Sequence, residues 1–271
     1  MKPELDEIMS VSYVLDDADG IVVVEGERGA AFDEHWELAA DAVAPGKLRA
    51  AKRFLGPILA DERLLGNVLD AGCGDGVHAE VLEQQTPGGR LRVGVDVSAV
   101  ALAATRRRAG PDWQLVQASV ERLPFEDDVF DVTFSYGVIA YTGEPHRSIA
   151  ELARVTRPGG LVGVWVAPAR GGLLGAAFAG VRRMSWLVGR RGTLVIANCL
   201  VPFLGLLPTA SGVTLRSAGW RACREVVLVN IAPRQLVFPA RADVLDWLSA
   251  ARLRVVREDL DAPISLWAEH E

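Results

Sequence analysis

The first chemical signal in the sequence is the stretch Asp70-Ala-Gly-Cys-Gly-Asp-Gly76. Glycines at alternate positions let a backbone bend tightly and bring its amides within reach of a ligand. A related spacing, GxGxxG, seats a pyrophosphate on a helix N-terminus. Here Val77 follows Gly76, and the carboxylates Asp70 and Asp75 flank the bend. A pyrophosphate would meet those charges at a cost, whereas a ligand bearing an ammonium and a sulfonium would not. The charge pattern therefore favours S-adenosylmethionine over NAD.

The second signal is Asp96, in Gly94-Val-Asp96. It follows the glycine bend at roughly the 20-residue spacing of an acidic ribose clamp. A carboxylate there can accept from both ribose hydroxyls. Asp96 could also be a plain turn residue ahead of Ser98, but bend and aspartate together point to a nucleoside.

Such residues need a scaffold, and hydrophobic periodicity supplies one. Lys47 to Ala60 reads as a helix with Leu48, Ala51, Phe54, Leu55 and Ile58 on one face. From Asn67 the pattern alternates strand, turn and helix. Strands are expected at Val68–Asp70, Leu91–Val95, Trp113–Ala118, Phe130–Ser135 and Leu161–Ala167. Helices are expected at Val77–Gln85, after a Ser98 cap, and at Ser148–Thr156, the last stopped by Pro158-Gly-Gly160. Ala242–Ala251 reads as a further helix, with closing strands at Leu253–Arg257 and Ile264–Ala268. Upstream, Ile21–Val24 reads as a strand in a hairpin around Asp19-Gly20. Strands alternating with helices imply a parallel sheet covered on both faces, with a ligand crevice at the strands' carboxyl ends. The expected architecture is α/β and doubly wound, a mostly parallel seven-stranded sheet with helices on both faces. An N-terminal extension and an apolar insertion after strand 5 complete it. The expected divisions are an extension or lid over 1–60, a cofactor-binding core over 61–167, the insertion over 168–215, and the C-terminal part of the sheet over 216–271.

The totals narrow the partners. The net charge of -6 and pI near 5.4 give no basic footprint for nucleic acid or anionic lipid. The arginine runs at 106–108, 182–183 and 190–191 read as solvated helix faces or helix ends. Three widely spaced cysteines, Cys73, Cys199 and Cys223, support neither a disulfide framework nor a metal site. The charged start, Met1 to Glu7, is not a secretory signal, so a cytoplasmic location is expected. The uncharged run from Gly192 to Leu215 is broken by Asn198, Pro202, Gly205 and Pro208, and its apolar part is too short for stable membrane insertion. Surface contact with a membrane stays open.

Five segments in order resemble the motifs of class I S-adenosylmethionine-dependent methyltransferases. They are Val68 to Gly76, Gly94 to Ser98, Leu123-Pro-Phe125, Phe130-Asp-Val132 and Arg154 to Gly160. The resemblance covers 66–167 closely and 242–270 loosely. It implies S-adenosyl-L-methionine as cofactor, with Gly72, Cys73 and Gly74 beneath the methionine moiety and Asp70 holding its amino group. Asp96 would bind the ribose and Val97 pack on adenine. Relatives carry an acidic residue against the adenine amino group where this chain has Ser119, followed by Val120. The loop beginning at Ser135 and Tyr136 would face the transferable methyl. Many relatives carry histidines where this chain has Ala140 and Tyr141, so no base can be borrowed at that spot. Phe32 to Trp36 resembles an aromatic element that closes over the cofactor in some relatives, but the motif is short and Trp36 reads first as a core aromatic.

The function implied is methylation of a small, apolar or aromatic molecule at oxygen, nitrogen or carbon. The alternative is a catalytically silent cofactor-binding module serving a partner. Candidate proton acceptors are Tyr141 and His146, ahead of His35 and Glu144, while His78 and His270 read as exposed helix and tail residues. The insertion offers Leu173, Leu174, Phe178, Trp186, Leu187, Phe203 and Leu204. These would cap an acceptor, pair two copies as a homodimer, or touch a membrane.

Overall fold

The computed structural model describes residues 3–16, 20–24, 33, 36, 45–167, 172–204, 220, 223–224, 227–228, 231, 236–260 and 264–271. Nine strands form one sheet. They are β1 Tyr13–Asp16, β2 Ile21–Val24, β3 Asn67–Ala71, β4 Leu91–Asp96, β5 Trp113–Gln117, β6 Phe130–Tyr136, β7 Thr156–Trp165, β8 Leu253–Glu258 and β9 Ser265–His270. Their order is β1-β2-β5-β4-β3-β6-β7-β9-β8. The six strands from β2 to β7 run parallel, and β1, β8 and β9 pair antiparallel with their neighbours.

The expected seven strands are β3 to β9. The other two are the N-terminal hairpin, whose strand β2 adds in parallel to the edge of β5 through Ile21–Leu115 and Val22–Val116. Ile21 and Val22 are buried there. Both faces of that edge are apolar, so the hairpin gains burial and covers the open backbone groups of β5.

The main helices are α1 Pro3–Asp6, α2 Pro45–Leu55, α3 Val77–Gln85, α4 Ala99–Ala109, α5 Pro145–Val155, α6 Gly172–Leu204 and α7 Arg241–Ala250. One sheet face packs Leu69, Val93, Val95, Val116, Val162 and Val164 against α5 and α7. The other packs Val68, Leu115, Val132 and Phe134 against α2, α3 and α4. Ser98 caps α4, its Oγ accepting from the Ala101 amide at 3.2 Å. Arg106 to Arg108 lie in the last turn of α4, where Arg106 donates to the Trp113 carbonyl at 2.7 Å.

Pro158-Gly-Gly160 does not stop α5. The helix ends at Val155, and those residues lie inside β7. The Thr156 hydroxyl closes the helix by donating to the Leu152 carbonyl at 2.6 Å. His270 is part of β9 and half-buried, with Nδ1 2.7 Å from the Thr156 carbonyl. It is not a free tail residue.

The insertion contains a long helix, α6, broken at Gly189, where φ is 64°. Thr193 Oγ1 donates to the Ser185 carbonyl at 3.0 Å and the Gly189 carbonyl at 2.9 Å, so the break is stitched by side-chain hydrogen bonds. Ala197 and Val201 form a separate small core with Cys223, Val227, Leu228 and Ile231. Among the described residues no helix is long and apolar enough to cross a membrane.

Candidate functional site

The strand order reverses around β3, with β4 on one side and β6 on the other. In an open parallel sheet that reversal opens a crevice at the carboxyl ends. Both acidic signals and the glycine bend fall there. The amides of Gly72 and Cys73 donate to the Val95 carbonyl at 2.7 and 2.9 Å, folding the bend over the end of β4. Gly72, Gly74 and Gly76 have φ of 88°, 56° and 76°. Side chains other than hydrogen rarely adopt such angles.

Asp70, at the end of β3, is 1% exposed, and neither carboxylate oxygen has a hydrogen-bond partner among the described residues. Burial, and then the neighbouring charges of Asp96 and Asp75, push its carboxyl well above the usual carboxylate range. Asp96 is also buried, but its oxygens accept from the Gly74 amide and the Ser98 amide, each at 3.0 Å. Burial raises its pKa to about 6, partly offset by those two amides. Each Asp96 oxygen keeps a second lone pair for a ligand hydroxyl. A buried carboxylate without a partner calls for a cation or for donor groups from a ligand.

Cys73 lies buried in the bend, 3.6 Å from Thr105 Oγ1, and burial raises its thiol pKa. Thr105 also donates to the Gly74 carbonyl at 2.8 Å, tying the bend to α4. Val97 is half-buried, its carbonyl accepting from Gln117 Nε2 at 2.9 Å. Ser119 is half-buried and its Oγ accepts from the Glu121 amide at 3.2 Å, while Val120 is buried in the core.

Past β6 the predicted residues divide. Tyr136 stacks on Trp165 with ring centres 4.5 Å apart and planes at 16°. Ser135, one residue earlier, faces the opposite side of the sheet and is fully buried. Tyr141 is half-buried at the end of the turn Ile139–Tyr141, within electrostatic reach of Arg182 from α6. Arg182 also donates to the Leu236 carbonyl at 3.3 Å, and the Val237 amide donates to the Ala140 carbonyl at 2.7 Å. The insertion is therefore tied to the loop after β6. His146 is exposed in the first turn of α5, and Glu144 is exposed just before it. His35 lies outside the described residues, as do the side chains of Leu173, Leu174, Phe203 and Leu204.

The N-terminal segment reaches the crevice. The Ser98 hydroxyl donates to Asp33 Oδ1 at 2.6 Å. A Cβ placed on Gly74 would lie 2.8 Å from the Trp36 ring. Lys47 bridges that ring, at 5.5 Å from its centre, to Asp75 at 3.4 Å.

His78 differs from its reading as an exposed helix residue. It is 6% exposed, caged by Phe54, Phe134 and Tyr136 at 6.0, 5.8 and 4.7 Å between ring centres. Helix α3 is covered by α2 as well as by the sheet, so its buried face is wider than one apolar stripe. Burial lowers the His78 pKa from 6.5 to about 4, with Asp75 opposing. A base whose folded pKa is depressed costs stability as pH falls through that interval, because the unfolded chain then binds the extra proton. His78→Phe should therefore gain on the native protein as pH falls. Its stability difference should shift by about 2 kcal/mol between pH 8 and pH 5. Urea denaturation at the two pH values checks this, and a pH-independent difference would contradict it.

Sequence reasoning did not single out Trp165, Asp33 or the Lys47–Asp75 pair. Trp165 ends β7 directly opposite Tyr136, which ends β6, a pairing set by the sheet register and not by any local pattern.

Comparison with known proteins agrees with this geometry. Residues 69–164 match the family model described as a methyltransferase domain. The malonyl-[acyl-carrier protein] O-methyltransferase of Pectobacterium atrosepticum is 36% identical over 95 residues, covering 35% of this chain and 36% of that protein. The demethylmenaquinone methyltransferase of Renibacterium salmoninarum is 32% identical over 139 residues, covering 49% and 56%. The chain thus spans between about a third and just over half of these relatives. Magnesium protoporphyrin IX methyltransferase from Synechocystis PCC 6803, solved with bound SAH, superposes with a TM-score of 0.55 at 18% identity, covering 88% of this chain and 97% of that one. Fold and site together define a Rossmann-like domain with its glycine bend at the sheet's reversal point. Residues 69–164 are similar to methyltransferase domains, and the fold is the one seen in the Synechocystis enzyme.

Proposed function

We propose that this chain transfers a methyl group from S-adenosylmethionine to a small apolar or aromatic acceptor. The observation that carries the reading is Asp70, a buried carboxylate with neither oxygen partnered, beside a second buried acid under the glycine bend. S-adenosylmethionine supplies a methyl on a sulfonium, already activated and leaving behind a neutral thioether. Asp70 would hold the ammonium of its methionine portion. Asp96 would take the ribose hydroxyls, Gly72 to Gly74 would pass beneath the methionine chain, and Val97 and Val120 would pack around adenine. Ser119 would accept from the adenine amino group in place of the usual acid. Ser135 and Tyr136 would border the methyl.

The remaining task is alignment, holding acceptor, methyl and sulfur in a line. An acceptor with a proton to lose also needs a base, worth roughly 10²–10⁴-fold. Of the two candidates Tyr141 is better sited than His146. It lies half-buried in the loop after β6 and beside the insertion, whereas His146 faces solvent. An apolar acceptor suits an insertion rich in aromatic and aliphatic side chains, and the relative named for demethylmenaquinone supports that choice. In this reading 1–60 closes over the cofactor, 61–167 and 216–271 build the sheet, and 168–215 covers the acceptor.

Asp96→Ala should weaken S-adenosylmethionine binding by about 1.5–3 kcal/mol, the size of hydrogen bonds to a charged group. Calorimetric titration measures it, and unchanged affinity would remove the ribose role. Turnover to S-adenosylhomocysteine with a panel of phenols, quinols and carboxylic acids tests catalysis itself.

A further inference from the structure

The net charge of -6 conceals a segregation. From Pro158 to Arg224 the sequence holds eight arginines and no aspartate, glutamate or lysine. Helix α6 lies inside that stretch and breaks at Gly189. Around the break the exposed residues are Arg183, Met184, Trp186, Leu187, Val188 and Arg191. Leu187 is 82% exposed and Trp186 39%. Elsewhere the same helix is seated. Ser185 is buried and donates to the Ile231 carbonyl at 2.8 Å, and Ala197 and Val201 enter the small core. The exposed cluster is thus one side of a fixed bend, carrying aliphatic side chains and a tryptophan between arginines. Beside it Ala179, Gly180, Arg183, Trp186 and Leu187 line an open groove of about 580 Å³.

We propose that this bend docks on the surface of an anionic phospholipid bilayer. Leu187 and Val188 enter the acyl boundary, Trp186 sits at headgroup level, and Arg183 and Arg191 meet lipid phosphates, with the groove taking a headgroup. The pattern is that of an interfacial helix, apolar tip and arginine-rich flank. Charge selects this occupant over a second copy. The flank is purely basic, so two copies paired through the bend would bring like charges together. The bend shares α6 with Arg182, which reaches the loop after β6, so docking would bring the acceptor side of the crevice near the bilayer.

The test is sedimentation of the full chain with vesicles, without methyl donor, so its failure leaves the methyltransferase reading intact. Vesicles of phosphatidylcholine alone are compared with vesicles containing phosphatidylglycerol. The native chain should bind the anionic vesicles, weakly bind the neutral ones, and be released by salt. Arg183→Ala with Arg191→Ala should weaken anionic binding roughly thirty-fold, each arginine contributing about fivefold. The paired lysine variants should keep most of it, and Leu187→Asp should abolish it. These positions are exposed, so unchanged thermal melting serves as the folding control. Equal binding to both vesicle types, no binding at all, or a dimer that Leu187→Asp converts to a monomer would each overturn the proposal.

Discussion

Asp70→Asn should raise the melting temperature of the ligand-free protein and, in the same variant, weaken S-adenosylmethionine binding. The two shifts come from one carboxylate. In the ligand-free protein Asp70 is 1% exposed, unpartnered, and near the acids Asp96 and Asp75. Its charge is a cost there, and the amide keeps the shape without it. A gain of about 1 kcal/mol, or roughly 2–4 °C for a chain of this size, is expected. The sign depends on pH. A carboxyl whose folded pKa is raised stabilises fully only below its unfolded value of 3.8, and that contribution falls as pH climbs towards the folded value. The advantage of the asparagine should therefore grow as pH rises through that interval. Binding moves the other way. A charged hydrogen bond to the ligand's ammonium is worth about 1.5–3 kcal/mol, so affinity should fall roughly 10- to 150-fold. Thermal melting across pH and calorimetric titration read the two effects separately. A variant less stable than the native chain, with unaltered affinity, would show that Asp70 has a structural partner and no ligand role.

The parts of the fold that the sequence reveals are those set by local chemistry. Helix α3 begins at Val77 and ends at Gln85 as its periodicity and the preceding Gly76 demand, and Ser98 caps α4 through its own hydroxyl. The limits of β4 and β5 follow from short apolar runs. What stayed hidden depends on partners far along the chain. Ile21–Val24 reads as a strand, yet nothing near it says that it will join β5. His78 is polar by type, and its burial comes from tertiary packing by Phe54, Phe134 and Tyr136. The candidate site divides in the same way. The glycine bend and its acids are adjacent in sequence and so are legible. The lack of a partner for Asp70, the contact of Trp36 with Gly74, and the Tyr136–Trp165 stack are tertiary facts. Net charge hides a segregation for a related reason, since it sums over a chain in which the stretch from 158 to 224 holds eight arginines and no acid.

Gly76→Ala should damage both stability and binding, and Gly159→Ala isolates the reason. Both glycines have nearly the same backbone angle, φ of 76° and 75°. An alanine pays for that left-handed conformation about 1–2 kcal/mol at either position. At Gly159 the new methyl would meet nothing within 4 Å. At Gly76 it would lie 2.8 Å from the Thr105 Cα, a backbone atom inside α4 that cannot rotate away. Relief requires α4 to shift, which strains the hydrogen bond from Thr105 to the Gly74 carbonyl and with it the amide that Asp96 holds. Overpacking of this kind adds roughly 1–3 kcal/mol. The total for Gly76→Ala is then about 2–5 kcal/mol, with cofactor binding lost alongside, against about 1–2 kcal/mol and intact binding for Gly159→Ala. Urea denaturation of both variants, followed by titration with S-adenosylhomocysteine, separates the two contributions. Equal losses would mean that the bend does not rest on α4, and that Gly76 serves only to turn the chain.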